Sequence, residues 1–326
     1  MLSREEWLQA RKKGIGGSDI ACLVGQNPYK TAFELWHDKM STEQKEFDED
    51  SKERMYWGIE FENLVAQRYA KDKDVKVQRI NTMMQHKDVP IALANIDRAI
   101  VKPGSRVRWC DKTHQLIGAD KLLEIKTAHA LSINSDDWGE ENTDEVPINY
   151  WYQCMWYMGI TGVHTCDLAV LFGGQRFKVY TIEYDDEIFN ALLKRAKEWW
   201  YKHILTGIAP DPHDEAEAKL KWAKSSPGKE TIVGTDVAEL VNQLKEVNSK
   251  LAILEDEKQS IRDRLVPMLE DAEIITYQGE KIATYKSNKD STVTNWKEAY
   301  LSLHPTPIHI EQFQSIKHGA RVLRIN

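Results

Sequence analysis

Apolar residues recur with two different periods in the first part of the chain, which predicts both strands and helices there. Short runs rich in valine, isoleucine and leucine, typical of strands, occur at 75–80, 91–97, 107–110, 115–127, 165–172 and 177–184. Spacings of three and four residues predict helices at 55–70, 147–159 and 185–203. Strands that alternate with helices indicate an α/β domain with a mixed central sheet flanked by helices.

The N-terminal region is organised around a glycine-rich turn. Residues 1–40 predict two short helices on either side of Gly14-Ile15-Gly16-Gly17, with Ser18 or Asp19 as the N-cap of the second helix. Residues 41–53 are rich in acidic side chains and predict a solvated loop.

The C-terminal third has a different pattern. Residues 210–234 contain three prolines and predict a linker with a short helix. From Val237 to Leu265 apolar residues fall at alternating spacings of three and four, interrupted only by Lys258, which predicts a long heptad helix that must pack on something. A hairpin around Gln278-Gly279 and an irregular, mildly basic tail follow. We therefore expect a core domain at 1–209, a linker at 210–234 and a C-terminal extension at 235–326 of open role.

The charge is negative overall but unevenly distributed. The formal net charge is −7, and residues 132–146 carry six carboxylates and no lysine or arginine. Basic residues gather at 11–13 and between 281 and 324. Because phosphate binding needs only a local basic surface, this distribution leaves nucleic-acid binding open.

Several classes of protein are disfavoured by what the sequence lacks. No apolar stretch is long enough for a membrane span, and the acidic N-terminus is unlike a signal peptide, so a cytoplasmic protein is expected. The four cysteines form no CxxC pair, which argues against a disulfide framework, structural zinc or an iron–sulfur cluster. The ten histidines form no HxH or HExxH pattern, and no P-loop is present, which argues against a zinc hydrolase and an ATP-driven enzyme.

The segment 122–127 (LLEIKT) is the first candidate for chemistry. On a strand, Glu124 and Lys126 project to one side while Ile125 points to the other, which fits either a surface salt bridge on an edge strand or part of a site. Asp97 ends another apolar run. If the two strands are neighbours, Asp97, Glu124 and the Ile125 carbonyl form an all-oxygen site suited to Mg²⁺ or Mn²⁺. Lys126 would orient or help deprotonate a water, as in phosphodiester hydrolysis.

These residues resemble a known nuclease core. Asp97 followed by Glu124-Ile125-Lys126 is similar to the D…(D/E)xK set of restriction-endonuclease-like nucleases. The chain to about residue 205 resembles the YqaJ-type viral recombinase family, to which the phage lambda exonuclease is related. Three further motifs resemble those of the family in the same order, at 11–19 (RKKGIGGSD), 57–62 (WGIEFE) and 150–153 (YWYQ). The family's frequent Pro-Asp-Gly is here Ile96-Asp97-Arg98, and Arg98 becomes a candidate phosphate contact.

The resemblance implies a restriction-endonuclease-like fold and a Mg²⁺-dependent exonuclease, with Mn²⁺ as a substitute. It implies digestion of double-stranded DNA from the 5′ end, which leaves a 3′ single strand for a phage single-strand annealing protein. A ring-type homo-oligomer, encoded by a phage or prophage and acting in the bacterial cytoplasm, is also implied. An endonuclease or nickase on the same core, or a catalytically silent DNA-binding scaffold, are the alternatives.

The resemblance also assigns roles to individual residues. Asp97 and Glu124 would hold the metal with the Ile125 carbonyl, and Lys126 would be the catalytic lysine. Glu62 would hold the metal or its waters, although an acid early in a helix is also favoured by the helix dipole. The remaining candidates are Gln153, which would orient a phosphate or a water, and Arg11, Ser18 and Tyr150, which would bind the 5′ phosphate and DNA. The alternatives for Ser18 and Arg11 are an N-cap and plain surface charge.

Overall fold

The computed structural model describes residues 4–41, 48–288, 295–301 and 303. The chain divides into two compact units, Met1–Lys221 and Trp222–Asn326, each described by itself below. The break between them falls inside the predicted linker. Most of the predicted C-terminal tail, and part of the predicted loop at 41–53, lie outside the described residues.

The first unit contains seven α-helices and nine strands within its described residues. The helices are α1 (Arg4–Lys12), α2 (Gly17–Leu23), α3 (Ala32–Met40), α4 (Glu49–Lys73), α5 (Ile148–Thr161), α6 (Asp186–Trp199) and α7 (Glu215–Lys221). The strands are β1 (Val77–Arg79), β2 (Met84–Gln85), β3 (Leu93–Ala94), β4 (Arg98–Val101), β5 (Arg108–Cys110), β6 (Gln115–Ile117), β7 (Ala119–Ala128), β8 (Thr165–Phe172) and β9 (Arg176–Glu183).

Five of these strands form the central sheet, in the order β1-β4-β7-β8-β9. The pair β7 and β8 is parallel, with Glu124 opposite Leu168, and the other pairs are antiparallel. The parallel pair needs a crossover connection, which α5 provides. The predicted class, an α/β protein with a mixed sheet flanked by helices, is therefore confirmed.

Apolar side chains cover both faces of the sheet, which is why its central strands are apolar along most of their length. On one face Leu122 and Leu168 belong to the same buried cluster as Met155 and Trp156 of α5. On the other face Leu123, Ile125 and Ala169 are buried together with Val65 and Tyr69 of α4. The burial of Ile125 on the α4 side leaves its neighbours Glu124 and Lys126 on the α5 side.

The N-terminal region contains one helix more than predicted. The extra helix, α3, begins at the N-cap Thr31, whose hydroxyl accepts from the N–H of Glu34 while the Glu34 carboxylate accepts from the N–H of Thr31. The predicted N-cap of α2 was also wrong. Gly16 occupies that position, and the Asp19 carboxylate accepts a hydrogen bond from its N–H at 3.0 Å.

The predicted loop at 41–53 and the predicted strand at 91–97 also need correction. Helix α4 already begins at Glu49, after the N-cap Asp48. In the segment 91–97 only β3 is a strand, and it pairs with β2 outside the central sheet. The backbone of this segment is instead bonded to the glycine-rich turn, because Ile15 N donates to Ile91 O and Leu93 N donates to Ile15 O.

The second unit contains the predicted long helix and hairpin. They are α8 (Thr235–Leu265), β10 (Ile274–Tyr277) and β11 (Glu280–Thr284), and a short helix α9 (Trp296–Leu301) follows. Strands β10 and β11 pair antiparallel. In neither unit do the described residues include a helix that is long and apolar enough to cross a membrane.

Candidate active site

The site forms where β4 meets the middle of β7. Asp97 immediately precedes β4, and its Oδ2 accepts a hydrogen bond from the backbone N–H of Ile125 at 2.9 Å. Because Ile125 lies between Glu124 and Lys126 on β7, this bond places the Asp97 carboxylate beside both. Three residues that are distant in the sequence therefore form one group.

Glu124 is the most buried carboxylate of the group. Its side chain is 3% exposed, and its Oε1 accepts from Lys126 Nζ at 2.6 Å and from Gln153 Nε2 at 2.5 Å. Its other oxygen, Oε2, is buried without a hydrogen-bond partner among the described residues. Burial, with a further contribution from Asp97, raises the pKa of Glu124 to about 8. An unpaired carboxylate oxygen in such a place is costly unless a cation or donor meets it.

Burial and the neighbouring charges also shift the pKa values of Asp97 and Lys126. Burial raises the pKa of Asp97, and the charge of Lys126 only partly opposes that effect. Burial alone would lower the pKa of Lys126, but the carboxylates of Glu124 and Asp97 outweigh it, so the pKa is raised. Lys126 is therefore an ammonium group at neutral pH. It can donate hydrogen bonds and attract negative charge.

Gln153 links this group to the glycine-rich turn. Its Nε2 lies 3.2 Å from the hydroxyl of Tyr157, one helical turn along α5. A Cβ atom at Gly17 would lie 2.5 Å from Tyr157 Cε1 and 3.0 Å from Gln153 Cγ. Only glycine lets the start of α2 approach α5 this closely.

Arg11 and Ser18 meet at the same turn. An Arg11 Nη atom donates to the Ser18 hydroxyl at 2.7 Å and lies 3.7 Å from Asp19 Oδ1. Lys39 Nζ holds the other Asp19 oxygen at 2.9 Å. Burial alone would raise the pKa of Asp19, but Lys39 and Arg11 outweigh it, and the pKa is lowered. A shallow cavity borders Arg11, Gly16, Gly17 and Tyr157.

Glu62 lies close enough to the Asp97–Glu124–Lys126 group for its charge to contribute to the raised pKa values of Asp97 and Glu124. Its carboxylate is ion-paired with the buried Arg98, and Arg79 lies 4.0 Å away. Arg98 also donates to the backbone oxygen of Asp97, at 2.7 Å. The Arg98 side chain is 5% exposed, and its role as a phosphate contact remains a prediction. Through these contacts Arg98 connects helix α4 to Asp97.

The described residues contain no cluster of three or more His, Cys, Asp or Glu side chains arranged to hold a metal ion. The carboxylates that fit a divalent cation are Asp97 and Glu124. When ionised, both carboxylates offer only oxygen atoms that accept hydrogen bonds or bind a cation. Glu124 Oε2 has no hydrogen-bond partner among the described residues. The roles of Glu62 and the Ile125 carbonyl as ligands remain predictions.

Tyr150 lies beside the lysine. Lys126 Nζ is 5.3 Å from the centroid of its half-buried ring, within the range of a cation–π contact. Burial raises the pKa of its hydroxyl. Its predicted contact with DNA remains a prediction.

Comparison with known sequences decides the family. Residues 6–164 match the family model of the YqaJ-like viral recombinase domain. The Bacillus subtilis (strain 168) protein YqaJ, itself uncharacterized, is 32% identical over 278 residues, which are 83% of this chain and 80% of that protein. The chain belongs to the YqaJ-like viral recombinase family.

Solved structures resemble this family member more distantly. An alkaline exonuclease from Laribacter hongkongensis, LHK-Exo, is 18% identical, with a TM-score of 0.44 over 67% of this chain and 98% of that one. Its complex with dAMP gives 17% identity and a TM-score of 0.45 over the same shares. A phage-related exonuclease from Haemophilus somnus 129PT is 11% identical, with a TM-score of 0.39 over 60% and 96%. The assignment to the family rests on the sequence matches.

Three contacts around the site were not predicted from the sequence. Tyr157 contacts Gln153, Asp19 holds Gly16 and Lys39, and Arg98 pairs with Glu62. The spacing of Gln153 and Tyr157, one helical turn apart, was a usable signal for the first. The ion pairs of Asp19 and Arg98 join elements far apart in the sequence, and no local pattern announces them.

Proposed function

We propose that this YqaJ-like family member is a Mg²⁺-dependent exonuclease that digests one strand of duplex DNA from its 5′ end. The observation that carries the proposal is the position of Asp97 beside Glu124 and Lys126, with Glu124 Oε2 buried and unpartnered among the described residues. Two buried carboxylates with raised pKa values repel each other and favour a divalent cation between them. Mn²⁺ should substitute, because it accepts the same oxygen ligands.

Each residue of the site has its own role in the proposed phosphodiester hydrolysis. A divalent ion held by Asp97 and Glu124 would supply Lewis acidity and neutralise charge on the scissile phosphate. Lys126, held in place by Glu124 and by the ring of Tyr150, donates to the developing negative charge or to the attacking water. Because its Nζ lies 2.6 Å from Glu124 Oε1, Lys126 is positioned to orient the attacking water or to help deprotonate it. Gln153 fixes the orientation of Glu124.

The preference for a 5′ end is supported by the turn around Arg11. A guanidinium that meets the Ser18 hydroxyl near the first turn of α2 can bind a terminal phosphate through paired hydrogen bonds. Gly17 joins this turn to Gln153, which in turn contacts Glu124. A terminal phosphate bound there would place the first phosphodiester bond toward the carboxylates.

The biological setting belongs to the same proposal. Digestion from the 5′ end exposes a 3′ single strand, the substrate of a phage single-strand annealing protein. We place this reaction in the cytoplasm of a bacterial host and expect a ring-type homo-oligomer around the duplex.

The proposal is tested by digestion of end-labelled linear duplex with and without Mg²⁺. We expect release of mononucleotides from 5′-phosphorylated linear DNA and none from covalently closed circles. Glu124→Gln should abolish release while the far-UV circular dichroism spectrum stays unchanged. Nicking or linearisation of circles would replace the exonuclease by an endonuclease on the same site. Absence of any metal-dependent cleavage would instead favour a catalytically silent DNA-binding subunit.

A further inference from the structure

Helix α8 presents a continuous apolar stripe that its own unit leaves uncovered. Every residue of α8, from Thr235 to Leu265, is exposed. A 31-residue helix of this kind gains little from intrinsic propensity alone, and apolar side chains in water favour association. The stripe is made of residues at alternating spacings of three and four, namely Val237, Leu240, Leu244, Val247, Leu251, Leu254, Ile261 and Leu265.

The charged residues beside the stripe indicate which partner covers it. With Val237 at heptad position a, Lys250 and Glu257 occupy g positions, and Glu255 and Arg262 occupy the e positions of the heptads that follow them. In a parallel, in-register coiled coil each g side chain faces the next e side chain of the other helix. Lys250 then faces Glu255 of the second copy, and Glu257 faces Arg262. Both pairs are attractive, and symmetry doubles each.

An antiparallel pair fits less well. When its a and d positions are brought together, Lys250 faces Glu257 of the second copy, but Glu255 meets Asn248 and Arg262 meets Val241. Half of the charged pairs are lost. The charge pattern therefore distinguishes the two orientations.

Lys258 supports the same arrangement. It is the one polar residue in the stripe, at an a position, and its ammonium group lies 3.1 Å from Glu255 of the same helix. A single lysine at an a position lowers stability and selects the register in which it lies opposite its own copy. Its aliphatic stem can still cover the seam while the charge stays at the edge.

From these observations we infer that α8 forms a parallel, in-register, two-stranded coiled coil with α8 of a second copy of this chain. The surface joins two copies through the second unit. It is independent of the proposed nuclease activity, because its residues and its test involve neither DNA nor metal.

Cysteine cross-linking tests the association of the two helices. In the full chain carrying Cys110→Ser, the remaining native cysteines are buried. Leu254→Cys sits at a d position, where a parallel in-register pair brings the two thiols within disulfide distance. Mild oxidation should give a covalent dimer on a non-reducing gel, whereas Asp256→Cys, on the outer face, should not. No more dimer from Leu254→Cys than from Asp256→Cys would overturn the inference and leave the stripe to the first unit or to another partner.

Charge exchange in the Leu254→Cys background tests the register. Lys250→Glu should raise the protein concentration needed for half-maximal cross-linking by about tenfold, because two attractive pairs become repulsive. Lys245→Glu makes the same change on the outer face and should have no effect. Adding Glu255→Lys to Lys250→Glu should restore the original concentration. Restoration by Glu257→Lys instead would show an antiparallel pair and overturn the proposed register.

Discussion

The carboxylate of Asp97 accepts a hydrogen bond from the backbone N–H of Ile125, 28 residues further along the chain, at 2.9 Å. This single bond decides whether the Glu-x-Lys segment is a surface ion pair or part of a site. A strand alone places Glu124 beside Lys126, but only the pairing of β4 with β7 adds a second carboxylate. The possible reading as a surface salt bridge on an edge strand is thereby excluded, since β7 lies in the middle of the sheet.

Metal binding should stabilise the first unit. At a Mg²⁺ concentration about 100 times the dissociation constant, linkage gives roughly 2.7 kcal/mol, or an increase of roughly 5–10 °C in the unfolding midpoint. Glu124→Gln should remove most of this increase, because the amide lacks the negative charge and one acceptor oxygen. Differential scanning fluorimetry with and without Mg²⁺ measures it. Glu183→Gln, at the exposed end of β9, is the control that should keep the full increase. An equal increase in both variants would place the ion elsewhere.

Gln153 should act through Glu124 rather than on the substrate. Gln153→Leu removes the donor to Glu124 Oε1, so the carboxylate is less well oriented. Loss of such supporting hydrogen bonds typically costs about 10–100-fold in metal affinity or activity. We therefore expect the Mg²⁺ concentration at half-maximal cleavage to rise by about that factor. Gln175→Leu, in the exposed turn after β8, should leave it unchanged. A lower rate with an unchanged Mg²⁺ dependence would contradict the positioning role.

The sequence predicted the local parts of the site well and the contacts between distant elements poorly. Strand alternation was sufficient to place Glu124 and Lys126 on one face and Ile125 on the other. The segment 91–97 was misassigned as a strand of the sheet, because its backbone pairs with β2 and with the glycine-rich turn rather than with the central sheet. The strand that belongs to the central sheet, β4, begins at Arg98. A charged residue does not fit the apolar pattern of a buried strand, so the sequence did not indicate this start. That charge is neutralised by Glu62, on a helix 36 residues earlier, and no local pattern records such a pairing.

Gly17 should be intolerant of any side chain. The Cβ of Gly17→Ala would meet Tyr157 at 2.5 Å, and the tyrosine ring is packed in the core and has little room to move. Overpacking of this kind typically costs about 1–3 kcal/mol, measured here by urea unfolding. The matched control is Gly58→Ala in the middle of α4, where a Cβ meets nothing within 4 Å. It should raise stability by about 0.5–1 kcal/mol through helix propensity. Equal effects of the two changes would show that α2 does not pack closely on α5.

The ion pair of Asp19 with Lys39 should make stability depend on pH. The pKa of Asp19 is lowered in the folded protein from its ordinary value of 3.8, so its ionised form is favoured by folding. Its contribution is complete above pH 3.8 and is lost as the pH falls through the lower, folded pKa. Asp19→Asn should therefore cost about 3 kcal/mol at pH 7, where the buried Lys39 loses its carboxylate partner and keeps only the backbone oxygen of Arg11, and less in acid. Urea unfolding across this range measures the difference.

Asp38→Asn provides the comparison for that experiment. Asp38 pairs with Lys30 at 2.5 Å, but both side chains are about 30% exposed. Exposed pairs contribute under about 1 kcal/mol, so this variant should show a small effect at every pH. A pH-independent cost for Asp19→Asn would mean that the hydrogen bond to Gly16, rather than the charge, is what matters.

Arg11 should be needed for phosphorylated ends in particular. Its guanidinium is partly exposed, at 35%, and already oriented by Ser18, so little ordering is needed when a phosphate binds. Charge-assisted contacts of this kind contribute about 1.5–3 kcal/mol, so Arg11→Ala should lower kcat/KM on 5′-phosphorylated duplex by about 10–100-fold. On 5′-hydroxyl duplex the same change should cost little. Arg176→Ala, at the exposed first residue of β9, controls for a general loss of positive charge. Equal losses on both kinds of end would assign Arg11 to folding or to general attraction of DNA, because a terminal phosphate is the only group that distinguishes the two substrates.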